Sequence, residues 1–247
     1  WCSTTRSAGT AAATAPTSPA IRTASPARRS RSARGSSPWS MPSCSRRRRK
    51  CRSDGQDAGC DAVVAEGFEA GGHNGREETT TLVLIPAVTG AVTIPVIAAG
   101  GIATGRQMLA AMVLGAEGVQ MGSRFVASAE ASAHQSFKNA VIEATEGDTQ
   151  LSMKKLTPVR LLKNAFYQQV AAAEQRGAGV EELQQLLGRA RAKKGMYEGN
   201  LDEGELEIGQ VSALLHDILP AGEIVKNVWK EFEEALQNPI KKNNFIM

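Results

Sequence analysis

The sequence predicts an α/β fold built on a parallel sheet. Three short apolar segments, residues 61–65 (DAVVA), 95–99 (PVIAA) and 117–121 (EGVQM), are separated by stretches of helical character at 80–92 and 104–114. Strands alternating with helices of this length imply βαβ units. The segments carry few polar residues, as strands covered by helices on both faces do. Each runs into glycines: Gly67, Gly71 and Gly72 after the first, Gly100-Gly101 after the second, Gly122 followed by Ser123 after the third. Folds of this class place ligands at the C-terminal ends of the strands.

The first strand spills into Glu66-Gly67-Phe68-Glu69-Ala70-Gly71-Gly72-His73-Asn74-Gly75. His73 is a candidate for proton transfer: glycines let the loop close on a planar ligand, and imidazole titrates near neutral pH. The bland reading is a solvated histidine. Glu66 and Glu69 are expected to orient the loop or meet solvent. Residues 80–92 are expected to be a helix, with Pro86 tolerated only near its start or at a kink. The second strand opens on Pro95, where a missing N–H does least harm. Its Gly100-Gly101 can bring backbone N–H groups against an anion, and a following helix N-terminus adds partial positive charge. Thr104 is the expected N-cap of the next helix and Gly115 its end. Gln120 falls inside the third strand, so its amide is expected to need a partner, in the core or on a bound ligand. Met121, Gly122 and Ser123 follow, and the two tandem strand ends suggest a cofactor phosphate site, with simple tight turns as the alternative.

Further along, residues 129–143 read as a helix with Phe137, Ala140 and Val141 on one face. Thr157-Pro158 reads as a helix start for 159–172. Leu183, Leu186 and Leu187 line a helix running to about Lys194, and 198–209 reads as an acidic, Gly-rich loop. Residues 210–218 resume as helix. Pro220 starts a last helix with Val225, Val228, Phe232 and Leu236 at spacings of three and four. His134 and His216 are expected to be solvated.

Residues 1–53 hold eleven Arg and one Lys and no Asp or Glu, while the remainder holds 17 basic and 25 acidic residues; the net charge of +4 is set by the leader. That leader contains no Leu, Val or Phe, a single Ile, twelve Ser, six Thr and five Pro. Such a segment buries too little apolar surface to offset its ordering entropy, so 1–57 is expected to be disordered. It reads in three ways: a basic arm for nucleic acid, an Arg- and Ser-rich transit leader, or out-of-frame text of a GC-rich gene, the last favoured because the composition switches abruptly before Asp61. The arm lacks aromatics interleaved with its arginines, so no nucleic-acid partner is expected. Cys2, Cys44, Cys51 and Cys60 show neither metal-ligand spacing nor a disulfide framework; no metal site and a cytoplasmic location are expected. Residues 79–105 carry no charge over 27 positions, yet Pro86, Pro95 and four glycines divide them into helix, turn and strand, so no membrane span is expected.

AEGFEAGGHNG, IPVIAAGGIATGRQMLAAMVLGAEGVQMGSRF and LTPVRLLKN resemble the nitronate monooxygenase family (2-nitropropane dioxygenases), which includes flavin-dependent enoyl-ACP reductases of the FabK type. The resemblance spans about residues 58–237. It implies the last three βα units of an FMN-binding TIM barrel (58–128) followed by a helical C-terminal extension (129–247). It places the family's catalytic histidine on His73 and FMN contacts on Gly67, Gly71, Gly72, Gly100, Gly101, Gln120, Met121, Gly122 and Ser123. The implied reaction is FMN-dependent oxidation of a nitroalkane or nitronate by O2 to a carbonyl compound and nitrite; enoyl reduction is the alternative within the family. A phosphate-binding barrel of the IMP dehydrogenase group would need a cysteine loop, and no cysteine follows Cys60. A non-catalytic protein using the basic arm is the alternative outside it. Three strands cannot close a barrel, so residues 61–65 are expected to present an unpaired edge and the chain is expected to be an inactive fragment.

Overall fold

The computed structural model describes residues 2–5, 56 and 59–239. Its first sheet contains β1 (Cys2–Thr5), β2 (Ala62–Glu66), β4 (Val96–Ala99) and β5 (Gly118–Gln120), in that order. β2, β4 and β5 are parallel, with Glu66 opposite Ala99 and Ala99 opposite Gln120. This register brings the three C-terminal ends level. Gly67, Gly100 and Met121 therefore leave the sheet side by side.

The helices between these strands follow the expected order. α1 (Thr81–Thr89) contains Pro86 in its interior and ends three residues later. α2 (Gly105–Val113) begins at a capping box: Thr104 Oγ1 accepts from the Gln107 N–H, and Gln107 Oε1 accepts from the Thr104 N–H. Gly115, at φ +102°, lets the chain turn back into β5. Val63, Ala65, Val96 and Ala98 pack against Ile85, Val88, Ile102 and Ala111 to form the core between sheet and helices.

Several elements differ from expectation. The edge of β2 is not unpaired: β1 lies antiparallel along it, Cys2 opposite Ala65 and Thr5 opposite Ala62. Of the remaining 1–57 segment, Gln56 accepts from the Thr93 N–H and Oγ1, and the rest lies outside the described residues. Val159–Leu162 is not helix but strand β7. It pairs antiparallel with β6 (Thr149–Ser152) and with β3 (Gly72–His73), giving a second sheet in the order β3-β7-β6. All four β7 side chains are buried, and this tertiary pairing outweighs the Thr-Pro start signal. Helix α5 (Ala165–Gln175) begins instead at Asn164, whose side chain caps Tyr167 N–H. The C-terminal part is thus not purely helical.

α3 (Ser123–Val126) is a single turn, and α4 (Gln135–Glu143) starts later than expected, at the exposed His134. α6 (Val180–Leu187) stops at Gly188 rather than continuing to Lys194, because Gly188 adopts φ +62°. Residues 210–218 contain one 3-10 turn, Gln210–Leu214, in place of a helix. α7 (Ala221–Gln237) packs across α2, and its inward face is Ile224 and Ala235 at 1% and 2% exposure; Val225 and Leu236, expected on the apolar face, point outward at 56% and 59%. At the crossing the α7 backbone lies on Gly105, the first residue of α2, where a side chain would overlap Phe232 N and Val228 O. Among the described residues no helix is long and apolar enough to cross a membrane.

Candidate active site

The glycine-rich loop after β2 is fixed from three sides. Glu69 accepts hydrogen bonds from Thr81 N–H (3.0 Å) and Thr81 Oγ1 (2.9 Å), tying the loop to the start of α1. Asn74 Nδ2 donates to the Ala70 and Gly72 carbonyls at 2.9 and 3.1 Å, and Asn74 N–H donates to Pro158 O at 2.8 Å. The Arg160 guanidinium, 2% exposed, donates to Phe68 O at 2.9 Å and stacks on the Phe68 ring at 4.5 Å. Burial pulls the Arg160 pKa down, with Glu69 and Glu78 opposing. Glu66 is raised by burial. The role expected of Glu69, orienting the loop, is the one it takes.

The predicted glycines serve different ends. A side chain on Gly67 would overlap Thr81 and Glu69, one on Gly71 would run into the Ile208–Gly209 backbone, and one on Gly100 would come within 2.6 Å of Gly67 O. Those glycines allow chain to lie on chain. Gly101 needs its φ of +69°. Gly122 has neither reason: its φ is −94°, open to any residue, and a Cβ there would meet nothing within 4 Å. The space in front of Gly122 is open. Among the described residues, no acceptor is hydrogen-bonded to the N–H groups of Gly101, Gly122 or Ser123. Ser123 Oγ accepts from Gly209 N–H at 3.0 Å, which leaves its own proton to donate.

The α2 N-terminus, by contrast, is spent. Gln107 Oε1 takes the Ala103 and Thr104 N–H groups, and Glu231 of α7 takes Gly105 N–H at 2.8 Å. Gln120 departs from expectation too: β5 is the outer strand, the side chain is exposed, and its amide needs no buried partner.

His73 is exposed at the end of β3, opposite Val159. It lines an open cleft of about 270 Å³ with Met153, Leu156, Val159, Arg191, Glu205 and Glu207. Glu205 and Glu207 lie on an extended strip that pairs with β7 beyond β3: Leu162 N–H donates to Leu206 O, and Leu161 bridges Glu207. Leu206 and Ile208 turn into the core, which puts both glutamates on the cleft side. Burial pushes the Glu205 carboxyl up to about 7, with the Glu207 charge adding to the rise and Arg191 opposing. Burial also raises Glu207, and His73 opposes that rise. Neither glutamate was expected in the site.

The same strip stitches the site together. Ile208–Gly209 lies against Gly71, Gly209 reaches Ser123, and Gln210 N–H donates to Glu69 O at 2.9 Å. The strip thus spans the His73 cleft and the open amides of the Gly122–Ser123 turn.

The family model for nitronate monooxygenase matches residues 50–231. This chain belongs to that family. A probable nitronate monooxygenase of Staphylococcus saprophyticus is 35% identical over 192 residues, 73% of this chain and 53% of the relative. Among solved structures, FabK from Thermotoga maritima matches with a TM-score of 0.73 at 40% identity, over 77% of this chain and 60% of that one. Nitroalkane oxidase from Streptomyces ansochromogenes matches with a TM-score of 0.65 at 30% identity, over 78% and 57%. The chain spans about half the length of the curated relative and somewhat more of the solved ones. The resemblance read from the AGGH and GGIATG…GVQMGSRF blocks is the family found.

Proposed function

We propose that this chain carries the phosphate-binding and proton-transfer parts of an FMN-dependent nitronate monooxygenase. The observation that carries the reading is the set of open amides at Gly101, Gly122 and Ser123, level with one another at the C-terminal edge of a parallel sheet. Such a cradle, with the Ser123 hydroxyl beside it, suits a phosphate. Gly122 supports this further, since nothing within the chain calls for glycine there. FMN would supply electron acceptance, with O2 completing the conversion of a nitronate to a carbonyl compound and nitrite.

The remaining chemistry falls to side chains of this chain. His73, exposed on a loop held by Asn74, Arg160 and Glu69, accepts the α-proton of a nitroalkane or holds the anionic nitronate. The C–H electron pair then stays on the carbon–nitrogen unit of the substrate. Met153, Leu156 and Val159 give the cleft an apolar wall suited to an alkyl substituent.

The likeness to FabK supports a second reading, in which a nicotinamide reduces the flavin and an enoyl thioester is the acceptor. Both are decided by titrating the purified chain with FMN and assaying nitronate-dependent nitrite formation beside NADH- and NADPH-dependent flavin bleaching. Saturable FMN binding with His73-dependent nitrite supports nitronate oxidation, and bleaching restored by an enoyl thioester supports reduction. Failure to bind FMN overturns both. Nitrite formation by the 247-residue chain would also overturn the expectation that it is inactive by itself.

A further inference from the structure

The cleft holds an acid pair for which the family reaction, as described above, has no use. Glu205 is 7% exposed, and no donor reaches its carboxyl among the described residues. Arg191, in the same wall, directs its donors to the carbonyls of Leu186, Leu187 and Glu203 and stacks on Phe166 at 4.8 Å. It lends Glu205 a field but no hydrogen bond. Glu207 Oε2 occupies the place a side chain on Gly72 would take, 2.5 Å from that Cβ position. The second glycine of AGGH is thus what admits the carboxylate beneath the His73 loop. Other cations nearby are turned away: Arg160 faces Phe68, Arg76 donates to the Lys154 and Leu156 carbonyls, and Lys154 pairs with Glu78.

We infer that Glu207, with Glu205 behind it, is the charge partner of His73: a residue that acts through His73 by balancing, across the cleft, the imidazolium formed when His73 takes a proton. The two carboxyls lie on one side of an extended strip; burial disfavours the charged form of each, and the Glu207 charge adds to the rise at Glu205. Of the two, Glu207 is the one whose ionised form His73 favours, and both side chains line the same cleft. When the substrate C–H bond breaks, the proton moves to the imidazole, and the new positive charge shares the cleft with the Glu207 carboxylate. This is the histidine–carboxylate logic of acyl-transfer enzymes, supplied here by the strip that also reaches Ser123. The role rests on the reading of His73 as proton acceptor, but the pairing itself does not.

The test is carboxyl 13C NMR of the glutamate-labelled full chain, with Glu205 and Glu207 assigned by signal loss in Glu205→Gln and Glu207→Gln. In His73→Asn the Glu207 midpoint should rise, because the group that favours its ionised form is gone. In Glu207→Gln the Glu205 midpoint should fall from about 7, because its like-charged neighbour is gone. An unmoved Glu207 midpoint in His73→Asn, a surface change that folding should tolerate, overturns the pairing. Unchanged turnover in His73→Asn with a shifted Glu207 would overturn the catalytic reading of His73 and leave the pair standing.

Discussion

Gly122 offers the sharpest test of the phosphate cradle, because the chain itself gives it no reason to be glycine. Its φ of −94° is ordinary for any residue, and a Cβ meets nothing within 4 Å. Gly122→Val should therefore leave folding intact, within about 0.5 kcal/mol of the parent, as exposed substitutions usually do. A ligand seated on the Gly122 and Ser123 amides would meet the new methyls. Hydrogen bonds to a charged group are worth roughly 1.5–3 kcal/mol each, so losing one weakens FMN binding about 10- to 150-fold. FMN fluorescence quenching measures the loss, and riboflavin, which lacks the phosphate, serves as control. In the parent FMN should bind more tightly than riboflavin; in the variant that preference should collapse. An unchanged FMN dissociation constant in a folded Gly122→Val protein would place the phosphate elsewhere. Gly101→Val would be a poorer choice, since at φ +69° any side chain strains the turn and flavin loss would report strain.

Gly105→Ala should destabilise without touching the site: its Cβ would overlap Phe232 N and Val228 O and lie 2.6 Å from the Glu231 carbonyl carbon, all α7 backbone. An overpacking cost of about 1–3 kcal/mol implies a melting temperature lower by roughly 2–10 °C, and an unchanged melt would mean α7 does not dock on α2 as described. Glu205 makes stability depend on pH in a defined direction. Its folded pKa of about 7 lies above the ordinary 4.5, so its contribution is intact below 4.5 and is lost as pH rises through 7. Relative to Glu205→Gln, the parent should lose up to about 3 kcal/mol between pH 4.5 and 8, read from urea midpoints; an identical gap at both ends would contradict the buried environment.

The parallel strands were legible because each is apolar and ends in Gly, and because Pro95 and Gly115 punctuate them where β4 begins and α2 ends. Thr104 was legible as a cap for the same local reason. What depended on distant pairing was not. Thr157-Pro158 imitates a helix start, and pairing with Thr149–Ser152 on one side and Gly72–His73 on the other makes that stretch β7. The GELE strip looked like a solvated acidic loop, although its alternation of Glu205 and Glu207 with Leu206 and Ile208 is a strand signal of period two. Gln120, expected in a buried strand, is exposed because a strand's burial depends on its neighbours, and among the described residues β5 is the outer strand of its sheet. His73 stands out from its loop in the sequence, but the charged residues that share its cleft lie more than a hundred positions away.

The topology of the first sheet bears on which part of the proposed FMN site this chain builds. β1 satisfies the edge of β2 but runs antiparallel, with Thr5 beside Ala62 at the end far from the glycine loops. The chain therefore leaves β1 at the wrong end to add a loop beside Gly67. A further parallel strand would need a crossover helix, and it would deliver its C-terminal loop to the mouth. Leu82 and Val83 on α1 and Val113 on α2 stand exposed. The proposed phosphate end of the site, at the Gly101 and Gly122–Ser123 amides, lies between β4 and β5. Among the described residues three parallel strands reach the mouth, which leaves little wall to grip an isoalloxazine ring. Binding should then be dominated by the phosphate: inorganic phosphate should compete with FMN on the 247-residue chain, while riboflavin binds too weakly to measure. Equal affinity for riboflavin and FMN would show instead that ring contacts hold the flavin, and that the cleft around His73 supplies more of the mouth than its three strands suggest.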